Sequence, residues 1–129
     1  MEKDKILIVE DDYDTLMFLN LFLRKRFMIE SCRTDGGFDD LIKKSRYDLI
    51  IMDIAIKGNR DGLQLTRELK SSDSYKDIPV LCLTAHVMEQ DKQNAFEAGV
   101  DYFLPKPVTN SILMNTIVSL LETKHARVS

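Results

Sequence analysis

The run Leu49-Ile50-Ile51-Met52-Asp53 sets four apolar residues in a row and closes them with an acid. A second run has the same form: Ile6-Leu7-Ile8-Val9 leads into Glu10-Asp11-Asp12. Short unbroken apolar runs rich in isoleucine and valine read as strands buried on both faces, as in a parallel sheet. Open α/β sheets bind ligands at the carboxyl ends of such strands. Two strands therefore deliver carboxylates to one edge, and that convergence is the main pointer to function.

Outward from these two, strand-like runs recur at Lys5–Glu10, Met28–Arg33, Asp48–Asp53, Pro79–Thr84 and Val100–Leu104. The stretches between them carry helical periodicity. Tyr13–Phe27 places Leu16, Leu19 and Leu23 at three- and four-residue spacing, flanked by Phe18 and Phe22. Gly37–Ser45 is a shorter candidate. Gly62–Ser71 follows Asp61 at the N-cap position and carries Leu63, Leu65 and Leu69. Glu89–Ala98 stops at Gly99, a residue suited to a helix C-terminus. Thr109–Thr123 aligns Leu113, Ile117, Leu120 and Leu121, and Lys124–Ser129 reads as a short, frayed polar tail. Strict alternation of strand and helix implies a parallel sheet covered on both faces. Right-handed crossovers among five strands and five helices favour an α/β, doubly wound, flavodoxin-like sheet of order 2-1-3-4-5. The 129 residues read as one domain with its core over about 5–122.

Composition narrows the function classes. A net charge of −3 argues against a nucleic-acid-binding surface. Cys32 and Cys82 lack CxxC spacing and read as small reduced core residues. The charged N-terminus runs straight into a strand, and no apolar run approaches bilayer length. A cytoplasmic chain with no membrane contact is expected. His86, with no second histidine near it in sequence, reads as an exposed loop residue.

In the order 2-1-3-4-5, the strands ending at Glu10 and Asp53 are neighbours, so their acids meet at one edge. Clustered carboxylates repel unless a cation sits among them. Hard oxygen ligands with open positions suit Mg²⁺. The same edge receives Thr84, which ends Leu81-Cys82-Leu83-Thr84, and Lys106, which follows the fifth strand. Each taken alone reads plainly. Thr84 is then a core or turn residue, and Lys106 a solvated lysine whose loss would change stability little. Acids, a hydroxyl and an ammonium around one point are together the equipment for holding a phosphoryl group.

These residues resemble a response-regulator receiver domain, the phosphoacceptor half of a two-component relay, over Lys5 to Glu122. The pieces are Ile8-Val9-Glu10-Asp11, Ile51-Met52-Asp53, Asp61-Gly62, Leu83-Thr84-Ala85, and Gly99-Val100-Asp101 leading to Lys106-Pro107. The resemblance implies that Asp53 is the phosphoacceptor. It implies that Glu10 and Asp11 are the acidic pair, Asp11 binding Mg²⁺ directly and Glu10 through water. Three consecutive acids leave an Asp11–Asp12 pair open. The first choice is preferred because the family's pair directly follows the last apolar residue, here Val9, which leaves Asp12 to cap the first helix. The Ala55 backbone carbonyl would complete the protein's metal ligands. Thr84 would bond one phosphoryl oxygen and Lys106 neutralise another, with a cis Lys106–Pro107 bond. The donor would be a phosphohistidine of a sensor histidine kinase or a histidine phosphotransfer protein. The chain would be a phosphoacceptor that promotes its own Mg²⁺-dependent phosphotransfer and dephosphorylation, not an enzyme with a separate substrate. Its output would go to a downstream protein through the fourth helix, fifth strand and fifth helix. Thr84 would couple there to Phe103, the aromatic three residues before Lys106. Tyr102 is the rival, but strand alternation sends it to the opposite face, and Phe103 also reads simply as core. One departure from the family stands out. Lys57 occupies a position where many relatives have proline, so that Gly58-Asn59 must supply the turn.

Two other classes share this fold. A pseudo-receiver would bind partners without phosphorylation, but it would not need the acid pair, Asp53, Thr84 and Lys106 together. A flavodoxin-like electron carrier would need a Ser/Thr/Gly-rich phosphate loop where this chain has Glu10-Asp11-Asp12, which repels phosphate.

Overall fold

The computed structural model describes residues 3–128, so the N-terminal Met1-Glu2 and the terminal Ser129 lie outside the described residues. Strands and helices alternate along the chain: β1 (Lys5–Val9), α1 (Tyr13–Leu23), β2 (Met28–Cys32), α2 (Asp35–Lys44), β3 (Leu49–Met52), α3 (Gly62–Lys70), β4 (Val80–Thr84), α4 (Glu89–Ala98), β5 (Tyr102–Pro105) and α5 (Asn110–Val128). The strands pair in parallel in the order β2-β1-β3-β4-β5, as the sequence pattern implies.

Alternate residues of each strand feed two separate cores. Leu7, Val9, Ile50, Met52, Cys82 and Phe103 pack with Phe38, Leu65 and Ala95 beneath α2, α3 and α4. Ile6, Ile8, Leu49, Ile51, Leu81 and Leu104 pack with Leu19, Leu23, Leu113 and Ile117 beneath α1 and α5. Because both faces are covered, the central strands show no polar alternation, which is why they are so plain in sequence. Both cysteines lie inside, free, and burial pushes their thiols up to about 12.

The ends differ from the sequence reading in instructive ways. Strands β1, β2 and β3 stop one residue short, at the last apolar position, so Glu10, Arg33 and Asp53 open the following loops. α1 stops at Leu23, yet Phe27 still reaches the core through a turn in which its amide donates to the Leu23 carbonyl at 3.0 Å. α2 begins at Asp35, capped by Thr34, whose hydroxyl accepts from the Gly37 amide at 3.0 Å. β5 starts at Tyr102, because Asp101 is taken by the turn before it. Its carboxylate accepts from the Val80 amide at 2.8 Å and from Lys70 Nζ at 2.9 Å.

The expected frayed tail is helix. α5 continues to Val128, with Lys124 Nζ on Asp48 at 2.8 Å and His125 Nε2 on Asp4 at 3.0 Å. Two side-chain pairs to the amino end of the sheet supply what a polar composition alone does not reveal. Among the described residues, no helix is long and apolar enough to cross a membrane.

Candidate functional site

Parallel registry builds the site. Val9 lies opposite Met52, and the Asp53 amide donates to the Val9 carbonyl at 3.0 Å, so Glu10 and Asp53 leave the sheet side by side. Thr84 ends β4 and lies opposite Pro105; the Lys106 amide donates to its carbonyl at 2.9 Å. Among the described residues the buried polar ones are Glu10, Asp53, Thr66 and Thr84. Thr66 belongs to α3, where its hydroxyl donates to the Gly62 carbonyl at 2.8 Å. The other three meet at one edge. Lys106 reaches in between the acids, its Nζ 2.8 Å from Asp53 Oδ2 and ion-paired to Glu10 as well. The Lys106–Pro107 peptide is cis.

The three consecutive acids part company in space. Asp12 turns to α1, where its carboxylate accepts from the Thr15 amide at 2.9 Å and the Thr15 hydroxyl at 2.6 Å. Glu10 turns inward, and its Oε2 also accepts from the Asp12 amide at 3.1 Å. Carboxylate oxygens of Glu10, Asp11 and Asp53 all lie within 4.8 Å of one another. Ala55 stands beside them, its amide donating to Asp53 Oδ1 at 3.2 Å.

The Asp61-Gly62 pair has two separate tasks. Asp61 caps α3, exchanging bonds with Gln64 at 2.8 and 2.9 Å. Gly62 lets that helix touch the backbone of Asp53, since a Cβ there would sit 1.9 Å from the Asp53 carbonyl oxygen. Any side chain at this position would push the helix away from the Asp53 backbone.

The structure also shows how the turn at Lys57-Gly58-Asn59 is formed. Gly58 takes a φ of 126°, the Asp35 amide donates to the Lys57 carbonyl at 3.2 Å, and the Asn59 amide donates to Asp35 Oδ2 at 3.3 Å. Arg60 then pairs with Asp35, Asp39 and Glu68. The loop is thus fastened to α2 and α3 by charge. These partners are not evident from sequence, because Asp35 lies outside the helix expected over Gly37–Ser45, and Asp35 and Asp39 are both more than twenty residues from Arg60.

One lysine serves two buried acids, and the consequences are unequal. Burial pushes the Glu10 carboxyl up to about 7, against the pull of Lys106 and the Asp12 amide. Burial also opposes the charge on Asp53, but the Lys106 ammonium and Thr84 hydroxyl outweigh it and hold Asp53 below the usual carboxylate range. Lys106, for its part, is held above its ordinary value by the two acids despite its own desolvation. Near neutrality, then, Asp53 is ionised while Glu10 still carries part of a proton.

This asymmetry sets a pH dependence. Between the usual 4.5 and about 7, the folded protein holds a proton at Glu10 that the unfolded chain has released. Proton binding to the folded state means that stability falls as pH rises through this window, by at most about 1.4 kcal/mol per unit, and then levels off. Asp53 acts oppositely but only in more acid solution, where its lowered value lies. In metal-free buffer the urea midpoint is expected to be lower at pH 7.5 than at pH 5.5. Glu10→Gln should flatten that difference, and an unaltered slope in the variant would exclude Glu10 as its source.

Phe103 and Tyr102 fall on opposite sides of β5, Phe103 buried in the core under α4 and Tyr102 48% exposed. His86 is exposed, as expected, and its amide donates to the Thr84 hydroxyl oxygen at 3.2 Å.

Comparison with known proteins agrees with this arrangement. Residues 6–118 match the family model of the response regulator receiver domain. The chain is similar to the polar-differentiation response regulator DivK of Brucella anthropi, with 30% identity over 123 residues that cover 94% of this chain and 98% of DivK. It is also similar to the solved signal receiver domain of a signal transduction histidine kinase from Syntrophus aciditrophicus. That match has 30% identity and a TM-score of 0.86, covering 93% of this chain and 91% of the other. A third similar structure is the receiver domain of sensor histidine kinase PA1611 from Pseudomonas aeruginosa, which holds a magnesium ion in its active-site cleft. There the identity is 25% and the TM-score 0.85, over 93% of this chain and 98% of that one. By its sheet order, its edge of acids and lysine, and a family match over most of its length, this chain belongs to the response regulator receiver domains of two-component signalling.

Proposed function

We propose that Asp53 accepts a phosphoryl group from a phosphohistidine of a sensor histidine kinase or histidine phosphotransfer protein, and that the modified domain signals by binding another protein. The observation that carries this reading is the Lys106 ammonium bridging the buried Glu10 and Asp53 beside Thr84. An Asp53 oxygen forms a bond to phosphorus as the phosphorus–nitrogen bond breaks, and the imidazole departs with the electron pair. No general base is required, because Asp53 is already ionised. The work left to the protein is positioning and neutralisation. Lys106 offsets charge on one side and the Thr84 hydroxyl donates on another.

The donor set fits Mg²⁺: three hard carboxylates within 4.8 Å of one another, fewer than the ion's six positions, so that further oxygen ligands are needed. Asp11 and Asp53 would hold the ion directly, with the Ala55 carbonyl, and Glu10 through water. When bound, the ion supplies positive charge for the phosphoryl oxygens. The test is incubation with acetyl phosphate, with and without Mg²⁺, followed by intact mass. A phosphate-sized gain is expected only with the metal, and a gain of equal size without it would overturn the metal assignment.

The signal is proposed to leave through Thr84 and Phe103 toward α4, β5 and α5. Phe103 lies opposite Cys82 on the β4 register, two residues before Thr84, and packs under α4. A Thr84 side chain drawn toward the phosphoryl group would change the space available to that ring, biasing two arrangements of the surface. Phe103→Ala is expected to abolish phosphorylation-dependent amide shift changes over α4, β5 and α5, whereas Tyr102→Ala preserves them. The reverse pattern would assign the switch to Tyr102.

A further inference from the structure

Of the acids proposed to bind Mg²⁺, Asp11 is held differently from the others. Glu10 and Asp53 are buried, and their amides continue the sheet ladders to the Cys32 and Val9 carbonyls, each at 3.0 Å. Asp11 lies one residue further out and is only half-buried, in the loop between β1 and α1. Among the described residues, its carboxylate takes no hydrogen bond or ion pair that would aim it. What is fixed instead is its backbone. Arg33, just past β2, donates from Nε at 3.1 Å and from Nη2 at 2.8 Å to the Asp11 carbonyl oxygen. The same guanidinium lies over the Tyr13 ring, 6.0 Å from its centroid, at the first residue of α1. A two-pronged guanidinium bond sets direction as well as distance, which a lysine cannot do.

We infer that Arg33 is a positioning residue for the cation site, acting through the Asp11 backbone to keep the Asp11 carboxylate within reach of Glu10 and Asp53. This inference rests on the reading of those three acids as the Mg²⁺ ligands. It makes a claim about sign. As a bare positive charge near an acid cluster, Arg33 repels the incoming ion, so its removal would tighten binding. As a clamp, its removal frees the loop and weakens binding. The clamp dominates, because an exposed charge is screened by solvent, while a freed ligand must be ordered again at each binding event.

The experiment is a Mg²⁺ titration at constant ionic strength, without phosphodonor, followed by amide shifts of residues 10–12 and 53–55. Arg33→Ala is expected to weaken binding about tenfold, the lower end of what partners that orient metal ligands contribute. Arg33→Lys, with the charge but not the fork, should fall between the variant and the parent. In an Asp11→Asn background, Arg33→Ala should cost nothing further, since its effect passes through Asp11. Thermal unfolding measured alongside reports whether each variant is folded; loss of the fork and of the Tyr13 contact should lower the midpoint modestly and leave a cooperative transition. Unchanged or tighter Mg²⁺ binding by folded Arg33→Ala overturns the inference. A parent protein whose Asp11 segment fails to respond to Mg²⁺ defeats the metal-site reading itself, and this inference falls with it.

Discussion

Asp53→Asn is expected to abolish the phosphate-sized mass gain completely while leaving the protein folded. The reason lies in how the neighbouring acids are occupied. Glu10 keeps part of its proton up to about 7 and is a weakened nucleophile near neutrality. Both bonds of Asp12 go to Thr15 at the start of α1. Asp53 is the one that is buried, held ionised, and in contact with the lysine that would neutralise the incoming group. Asparagine has nearly the same shape and still accepts from Lys106, so stability should change by no more than about 1 kcal/mol. Loss of the Asp53 charge also relieves repulsion on Glu10, whose carboxyl should then ionise at lower pH. The checks are intact mass after acetyl phosphate with Mg²⁺, together with urea denaturation. Full labelling of the folded variant would move the acceptor to another carboxylate.

Lys106→Ala carries the second large effect, and here the structure revises the sequence expectation. A lysine at a loop end reads as dispensable to the fold, but this one is the shared counter-charge of two buried acids. Removing one partner of a buried pair typically costs about 3–5 kcal/mol, because the remaining charge stays uncompensated. Lys106 is partly exposed and Glu10 can take up a proton, so the expected loss is nearer about 2 kcal/mol. The loss should be greater at pH 8 than at pH 6, since both carboxyls rise without the ammonium and only the higher pH forces them to ionise. Mg²⁺ should bind the variant more tightly than the parent and restore much of its stability, as one cation replaces another among the same acids. Phosphorylation, or the response to it, should nevertheless be impaired, because the ion cannot stand on both sides of the phosphoryl group. Lys106→Ala and Arg33→Ala thus remove like charges from one neighbourhood with opposite expected effects on the metal. Normal phosphorylation and normal partner binding by Lys106→Ala would remove Lys106 from the mechanism.

The fold was legible because every layer of the sequence agrees with it. Unbroken apolar runs at β1, β3 and β4, short and rich in β-branched residues, read as strands covered on two sides, and the segments between them are long enough for helices. Parallel strands with right-handed crossovers then leave few arrangements. Once the order is known, Glu10, Asp53, Thr84 and Lys106 must emerge at one edge, so the core of the site could be read from strand ends alone.

Contacts between residues distant in the chain and lacking any periodic signature were decided only in three dimensions. Polar composition concealed the last turns of α5, which are held by Lys124 on Asp48 and His125 on Asp4. Single-residue inspection concealed the Arg60 network that steadies the loop after Asp53, and the Arg33 fork on Asp11. It also concealed that one ammonium is shared by Glu10 and Asp53, and that burial keeps a proton on Glu10 while Lys106 and Thr84 hold Asp53 ionised. Hydrophobic pattern is a local property of the chain, written at the period of each strand or helix. The placing of a charge depends on which side chains the finished fold brings within a few ångströms, and on how much water remains between them.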